Sequence, residues 1–234
     1  GLLVLMLGQA TRLSSLLVGH DKVYDATLRF GFATTTDDAQ GERLSDEAAA
    51  TALPTDDAIR AALDATRGDF DQMPPQFSAK RVDGQQAYRL ARREQPVDLK
   101  TARVTLHAWE WLGRDAADTV RVRLRTSAGF YVRSLARDLG RALGCGAHLA
   151  GLRRVQSGPF SVDQAMPLAD AEQAGPGVAA RVIPMAEALP HLPAVTLSDA
   201  GLTRVRHGNP VGPQLVEGPW VPPSQVTSKV RLLT

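Results

Sequence analysis

Between Thr119 and Thr126 the sequence TVRVRLRT sets Val120, Val122 and Leu124 in strict alternation with Arg121, Arg123 and Arg125. A period of two fits a β-strand and not a helix, so one face of this segment meets a core and the other is a cationic rail. Shortly afterwards the period changes. Leu135, Leu139 and Leu143 recur every fourth residue, and so do Arg133, Arg137 and Arg141. Two positions along a helix are about 200° of rotation apart, so the two stripes occupy opposite faces. The spacing predicts a helix over 133–143 closed by Gly144, with the leucine stripe buried and the arginine stripe presenting guanidiniums.

From Arg121 to Arg154 there are eight arginines and one acid, Asp138, although the whole chain is only +2. The remainder is therefore net acidic. This polarity points to a polyanionic partner more directly than the total charge does. A solvated arginine face is the plainer reading of the same residues. With 234 residues, 44% hydrophobic and 22% charged, the chain has room for one large domain, or one with a small companion. No run of 18 apolar residues exists, so no transmembrane helix is expected. Gly1 to Leu7 is apolar but short and has neither a basic leader nor a cleavage site, so it reads as a core strand. The absence of an initiator Met suggests a chain that begins inside a longer protein.

Cys145 is the single cysteine, which excludes an intrachain disulfide and fits a reducing, cytoplasmic setting. Its C-x-x-H spacing with His148 lacks the second pair that a four-ligand zinc site needs, so Cys145 reads as a buried structural residue. The stretch GCGAHLAG, 144–151, imitates a dinucleotide fingerprint but has Leu149 in the place of the third glycine.

Residues 22–33 read as a strand with Tyr24, Ala26, Leu28 and Phe30 on one face. A Thr- and Asp-rich loop follows over 34–41. Thr55 is an N-cap for a helix over 56–67 that Gly68 ends, with Asp56 and Asp57 at its positive end and Ile59, Leu63 and Thr66 on one side. Pro74-Pro75 breaks regular structure, Asp83-Gly84 signals a turn, and 85–94 resembles a short helix carrying Tyr88, Arg89, Arg92 and Arg93. A further strand is expected over 103–112. The proline-bearing stretch 184–193 marks a domain boundary. Beyond it, HGNPVG is a turn and SKVRLLT resembles a strand cut short.

Four stretches are familiar in order. LMLGQATRLSSLLVGHDKVYDATLRFG resembles the segment after the catalytic motif of the TruB-type tRNA pseudouridine-55 synthases. PPQFSAKRVDGQQAYRLAR resembles that family's RNA-clamping insertion, SAGFYVRSLARDLGRALGCGAHLAGLRR its arginine-bearing active-site motif, and HGNPV the start of its C-terminal RNA-binding domain. The resemblance implies an α+β pseudouridine synthase fold, a mixed, largely antiparallel sheet with flanking helices. It places the catalytic domain at 1–185, lacking its N-terminal part, with the clamp at about 73–97. Part of a small PUA-like RNA-binding domain follows over 194–234.

It also implies a chemistry: uridine 55 in the tRNA T-loop becomes pseudouridine through a nucleophilic aspartate, with no metal or organic cofactor. Gly1 looks like the last glycine of the nucleophile motif, which puts that aspartate about five residues upstream. Asp21, Asp25 and Asp138 are not plausible substitutes. Arg133, in the Gly-Phe-Tyr-Val-Arg context, matches the arginine that holds the carboxylate ionised. Tyr24, in the DK-x-Y context, matches the tyrosine that stacks on the flipped uracil, and Leu152 an apolar wall of the base pocket. Arg12, Lys80, Arg81, Tyr88 and Arg137 are further substrate-binding candidates. Arg137 is expected on an RNA-facing or solvated ridge one turn from Arg133. The partner implied is the T-arm of tRNA, bound by a cytoplasmic monomer. The alternative is a catalytically dead RNA-binding fragment, because the nucleophile is not in this sequence. Tyr24 and Arg133 are expected together in one cleft near Gly1, and the 121–125 rail, the Arg133/Arg137/Arg141 stripe and the 80–93 insertion along one groove.

Overall fold

A computed structural model describes residues 1–44, 52–77, 99–218 and 229–233, and the backbone of 81–82 and 85–86. The chain forms two compact units, Gly1–Ala165 and Met166–Thr234. The boundary expected at 184–193 thus falls inside the second unit.

In the first unit a 3-10 turn, Gly8–Leu13, runs into the short helix α1, Ser14–Val18. Strand β1 spans Lys22–Phe30, helix α2 Asp56–Ala65 and strand β2 Gly68–Gln72. The two-residue strands β3 and β4 are Arg81–Val82 and Gln85–Gln86. The long hairpin β5, Ala102–Ala116, and β6, Thr119–Thr126, follows. Helix α3 is Val132–Ala142, β7 is Ala147–Ser157 and β8 is Phe160–Ser161. Six strands pair antiparallel throughout in the order β2-β5-β6-β1-β7-β8.

The alternation in β6 produces its burial directly: Val120, Val122 and Leu124 are fully buried. They join Ala26, Leu28 and Phe30 of β1, Ile59 and Leu63 of α2, and Val132, Leu135, Ala136 and Leu139 of α3 in one core, so the helices cover a single face of the sheet. Thr55 caps α2 as expected, its hydroxyl accepting from the Ala58 N–H over 3.2 Å. At Gly68 φ is 99°, a backbone open to glycine, and there the chain turns from α2 into β2.

Two local expectations are corrected. Gly1–Leu7 is not a strand: one backbone bond, from Leu2 N–H to the Arg154 carbonyl over 2.7 Å, ties it to β7, and Leu3, Leu5 and Leu7 are exposed. The helix expected over 85–94 opens instead as β4, paired antiparallel with β3 across Asp83-Gly84. The rest of that segment lies outside the described residues. In the second unit, strand β9 (Ala194–Leu197) lies between β10 (Val216–Glu217), antiparallel, and β11 (Arg231–Leu233), parallel. This unit also contains α4, Leu168–Ala174, and α5, Asp199–Arg206, the latter capped by Ser198.

Candidate active site

The site begins with two irregularities in β7. Leu28 pairs with Leu149 and Thr27 with Gly151, which leaves Ala150 without an opposite residue. Tyr24 pairs with Arg154 and Val23 with Gln156, which leaves Val155 as the second extra residue. Each bulge reverses the inside-outside alternation of the strand. Continuing from buried Leu149, an unbroken strand would turn Gly151 and Arg153 toward the helices. The bulge at Ala150 turns Leu152 and Arg154 there instead, beside Ala26 and Tyr24. Leu152 remains 49% exposed, an apolar surface beside the half-buried Tyr24.

Arg154 Nε donates to the Leu2 carbonyl over 2.9 Å, reciprocating the backbone bond from Leu2. The Gly1 end of the chain therefore lies alongside the Tyr24–Arg154 pair. Burial pushes the Tyr24 phenol above its usual pKa. The charge of Arg154 and its hydrogen bond to the phenol pull the other way, more weakly. The phenol is thus held protonated at neutral pH.

Arg133 occupies the first turn of α3, and the start of that helix is pinned. Gln72, 1% exposed, accepts from the Tyr131 N–H over 2.8 Å and donates to the Tyr131 carbonyl over 3.0 Å. Ser134 donates to the Met73 carbonyl over 2.8 Å. Arg133 Nη1 donates to Asp38 Oδ2 over 3.2 Å and to the Thr36 carbonyl over 3.3 Å, while Nη2 reaches the Phe77 carbonyl over 2.8 Å. Tyr24 packs against the helix-covered core from β1, opposite Arg154, whereas Arg133 reaches from α3 to the 36–38 loop. The sequence reading missed Gln72, Asp38 and Arg154. Asp38 carried the clearest signal, an acid within a Thr-rich loop.

The arginine stripe divides. Arg141 is exposed, but Arg137 is 12% exposed and bonded to Asp37, Asp138 and the Met73 carbonyl. Of the two alternatives expected for Arg137, an RNA-facing or a solvated ridge, solvation does not hold, because the side chain is packed in ion pairs. The rail of β6 is also engaged: Arg123 holds Asp25 at 2.6 and 3.0 Å, Arg121 holds Asp115 at 2.8 Å, and Arg125 lies 3.8 Å from Asp21. These arginines project from the face opposite α3, because Val120, Val122 and Leu124 occupy the other. Rail and stripe therefore cannot border one groove. The rail's face does have a concavity, lined by Asp25, Arg123, Arg125, Arg153 and Asp163 among others. Its charges are mixed, and it lies away from Arg133. Arg12 is exposed in the 3-10 turn. Lys80, Tyr88, Arg89, Arg92 and Arg93 lie outside the described residues, and Arg81 is described in backbone alone. Among the described residues no group of three His, Cys, Asp or Glu could hold a metal ion, and no helix is long and apolar enough to cross a membrane.

The first unit is thus an antiparallel sheet covered on one face by helices. The fold is similar to that of chains in solved structures of an H/ACA RNP bound to a substrate RNA containing 2'-deoxyuridine (TM-score 0.61, 22% identity, 90% of this chain and 54% of that one) and of a Cbf5-Nop10-Gar1 complex (TM-score 0.60, 24% identity, 86% and 53%). The family model described as TruB family pseudouridylate synthase (N terminal domain) matches residues 1–132, and that described as tRNA pseudouridylate synthase B C-terminal domain matches 133–189. The chain belongs to the TruB family of pseudouridylate synthases. It is 41% identical over 214 residues to tRNA pseudouridine synthase B of Dinoroseobacter shibae, covering 90% of this chain and 69% of that protein. It is 42% identical over 236 residues to the protein of the same name from Thermobifida fusca, covering 94% and 75%. The chain spans about half the length of the two solved chains it resembles.

Proposed function

We propose that the protein to which this chain belongs isomerises uridine 55 in the T-loop of tRNA to pseudouridine, acting as a cytoplasmic monomer on the T-arm. The observation that carries the reading is the alignment of Tyr24, Leu152 and Arg154 on one sheet face beside Gly1. The nucleophile motif would enter at that point. The reaction breaks the uracil N1–C1′ bond, turns the base and rejoins it through C5, so the nucleotide must first leave its stack. The Tyr24 ring and the exposed side of Leu152 offer the flipped base an apolar bed.

The nucleophilic aspartate belongs to a segment preceding Gly1 by about five residues in this reading. Arg133 would hold that carboxylate ionised. A guanidinium has five N–H donors, and the three bonds to Thr36, Asp38 and Phe77 leave donors for a second carboxylate. The carboxylates beside the site are committed: Asp38 to Arg133, and Asp25 to Arg123 on the opposite face. That commitment favours a second reading for the chain by itself, RNA binding without turnover.

The test is tritium release from tRNA labelled at uracil C5, since the isomerisation displaces that hydrogen. Residues 1–234 alone should release none, and the protein extended upstream through the aspartate should release it. In the extended protein, Arg133→Lys keeps the charge but loses the fork, so turnover should fall more than tRNA affinity. Release by residues 1–234 alone would overturn the placement of the nucleophile.

A further inference from the structure

Arg154 was not among the site residues the sequence suggested, and three independent ties converge on it. In the β1–β7 ladder it stands directly opposite Tyr24. Its backbone carbonyl accepts from Leu2 N–H over 2.7 Å, and its Nε donates back to the Leu2 carbonyl over 2.9 Å. A methyl group built on Gly1 would come within 2.9 Å of Arg154 N and 3.1 Å of its carbonyl oxygen, so the chain entering the site is laid against this one residue. The bulges at Ala150 and Val155 bracket the segment and turn Arg154, rather than Arg153, toward the phenol. A bulged strand is a costly way to place an ordinary surface arginine.

We propose that Arg154 is a positioning residue for Tyr24, clamped by Leu2 so that its guanidinium fixes the phenol oxygen and directs the phenol proton toward the base pocket. The inference rests on the reading of this site as pseudouridine-forming. Arginine has donors and no acceptor, so a phenol facing the Arg154 guanidinium across the ladder turns its oxygen toward it. The phenol's own proton is then turned away from Arg154, and the side of this face on which Leu152 lies is open. Fixing that direction before substrate arrives removes a rotor that would otherwise have to be ordered during the reaction.

The test is a double-mutant cycle in the full-length protein with Tyr24→Phe, Arg154→Met and the pair, and with Arg154→Lys as the conservative variant. Arg154→Met should lower kcat about tenfold, with KM and tRNA affinity changed less than about twofold. In the Tyr24→Phe background it should have no further effect on kcat, because the hydroxyl it positions is gone. Arg154→Lys should recover part of the loss, since a point charge cannot hold Leu2 and Tyr24 together; should Arg154→Met not fold, Arg154→Lys carries the cycle. Independently of turnover, the phenol that disappears in Tyr24→Phe should titrate at higher pH by ultraviolet absorbance once Arg154 is replaced. Losses that multiply would overturn the inference and leave the reading of the site intact. A loss confined to tRNA affinity, with a shallower salt dependence, would make Arg154 a phosphate contact instead. An unchanged kcat in Tyr24→Phe would sink the site reading and this inference with it.

Discussion

Arg137 Nη1 donates to Asp37 Oδ2 over 3.1 Å, and the two side chains are only 12% and 15% exposed. The same guanidinium holds Asp138 at 2.9 Å and the Met73 carbonyl at 3.0 Å, so it joins α3 to the loop after β1 and to the end of β2. Burial raises the Asp37 carboxyl above its usual pKa, and Arg137 only partly offsets this. Removing the cation would leave a covered carboxylate with only the weaker attractions of Arg133 and Arg141 to offset its burial. Arg137→Met should cost about 3 kcal/mol in urea unfolding. Asp37 also has a left-handed backbone, φ 61°, which asparagine tolerates, so Asp37→Asn should cost less than about 1 kcal/mol. Parental stability in Arg137→Met together with weakened tRNA binding would instead support the RNA-facing alternative expected of this residue.

His148, next to the Leu149 that bridges Asp38, gives the protein an acid-sensitive point. It is 3% exposed, its ring centroid lies 4.6 Å from that of Phe32, and Nδ1 meets the Phe32 carbonyl at 3.2 Å. Burial lowers its pKa first and the nearby Arg29 adds to this, while the bond to Phe32 opposes them. A folded-state pKa below the unfolded value of about 6.5 means stability that is present above that pH and lost as pH falls through the folded pKa. The melting temperature should therefore drop between about pH 6.5 and 5, and His148→Gln should flatten that part of the curve. If the parent and His148→Gln curves run parallel over this range, the histidine is not the titrating group.

Local pattern was enough for β6, for the buried face of β1 and for α3, because each depends on a period that packing on one side reinforces. Tyr24 and Arg133 were singled out through the residues around them, and the strand and helix that contain them followed from the same patterns. What escaped was fixed by partners far along the chain. Strand β7 shows no sustained alternation because bulges at Ala150 and Val155 interrupt it, and these arise from pairing with β1 rather than from the local residues. The same holds for charge. Asp37 lies 100 residues from Arg137 and Asp25 lies 98 from Arg123, so a run of arginines that reads as an RNA surface is largely consumed in pairs within the fold. Gly1–Leu7 is apolar enough for a strand, yet among its backbone groups the tie to β7 is made at Leu2.

Gly140 separates helix propensity from packing. It sits inside α3, where alanine is intrinsically better than glycine by about 1 kcal/mol. A methyl group built there would lie 2.2 Å from Ala147 N and 2.5 Å from Gly146 C, both backbone atoms that cannot swing aside. The Gly140 carbonyl also accepts from the Cys145 and Gly146 N–H groups, each over 3.1 Å, so the end of α3 is fastened to the start of β7. Gly140→Ala must then push the helix off the strand, and the strain should exceed the propensity gain. A net loss of about 2 kcal/mol is expected in urea unfolding. Gly177→Ala is the control: nothing lies within 4 Å of the added carbon there and its φ is not in the left-handed range, so stability should be nearly unchanged. A stabilised Gly140→Ala would mean that α3 can move away from β7 without cost. The placement of Arg133, which depends on that helix being fixed, would then lose its support.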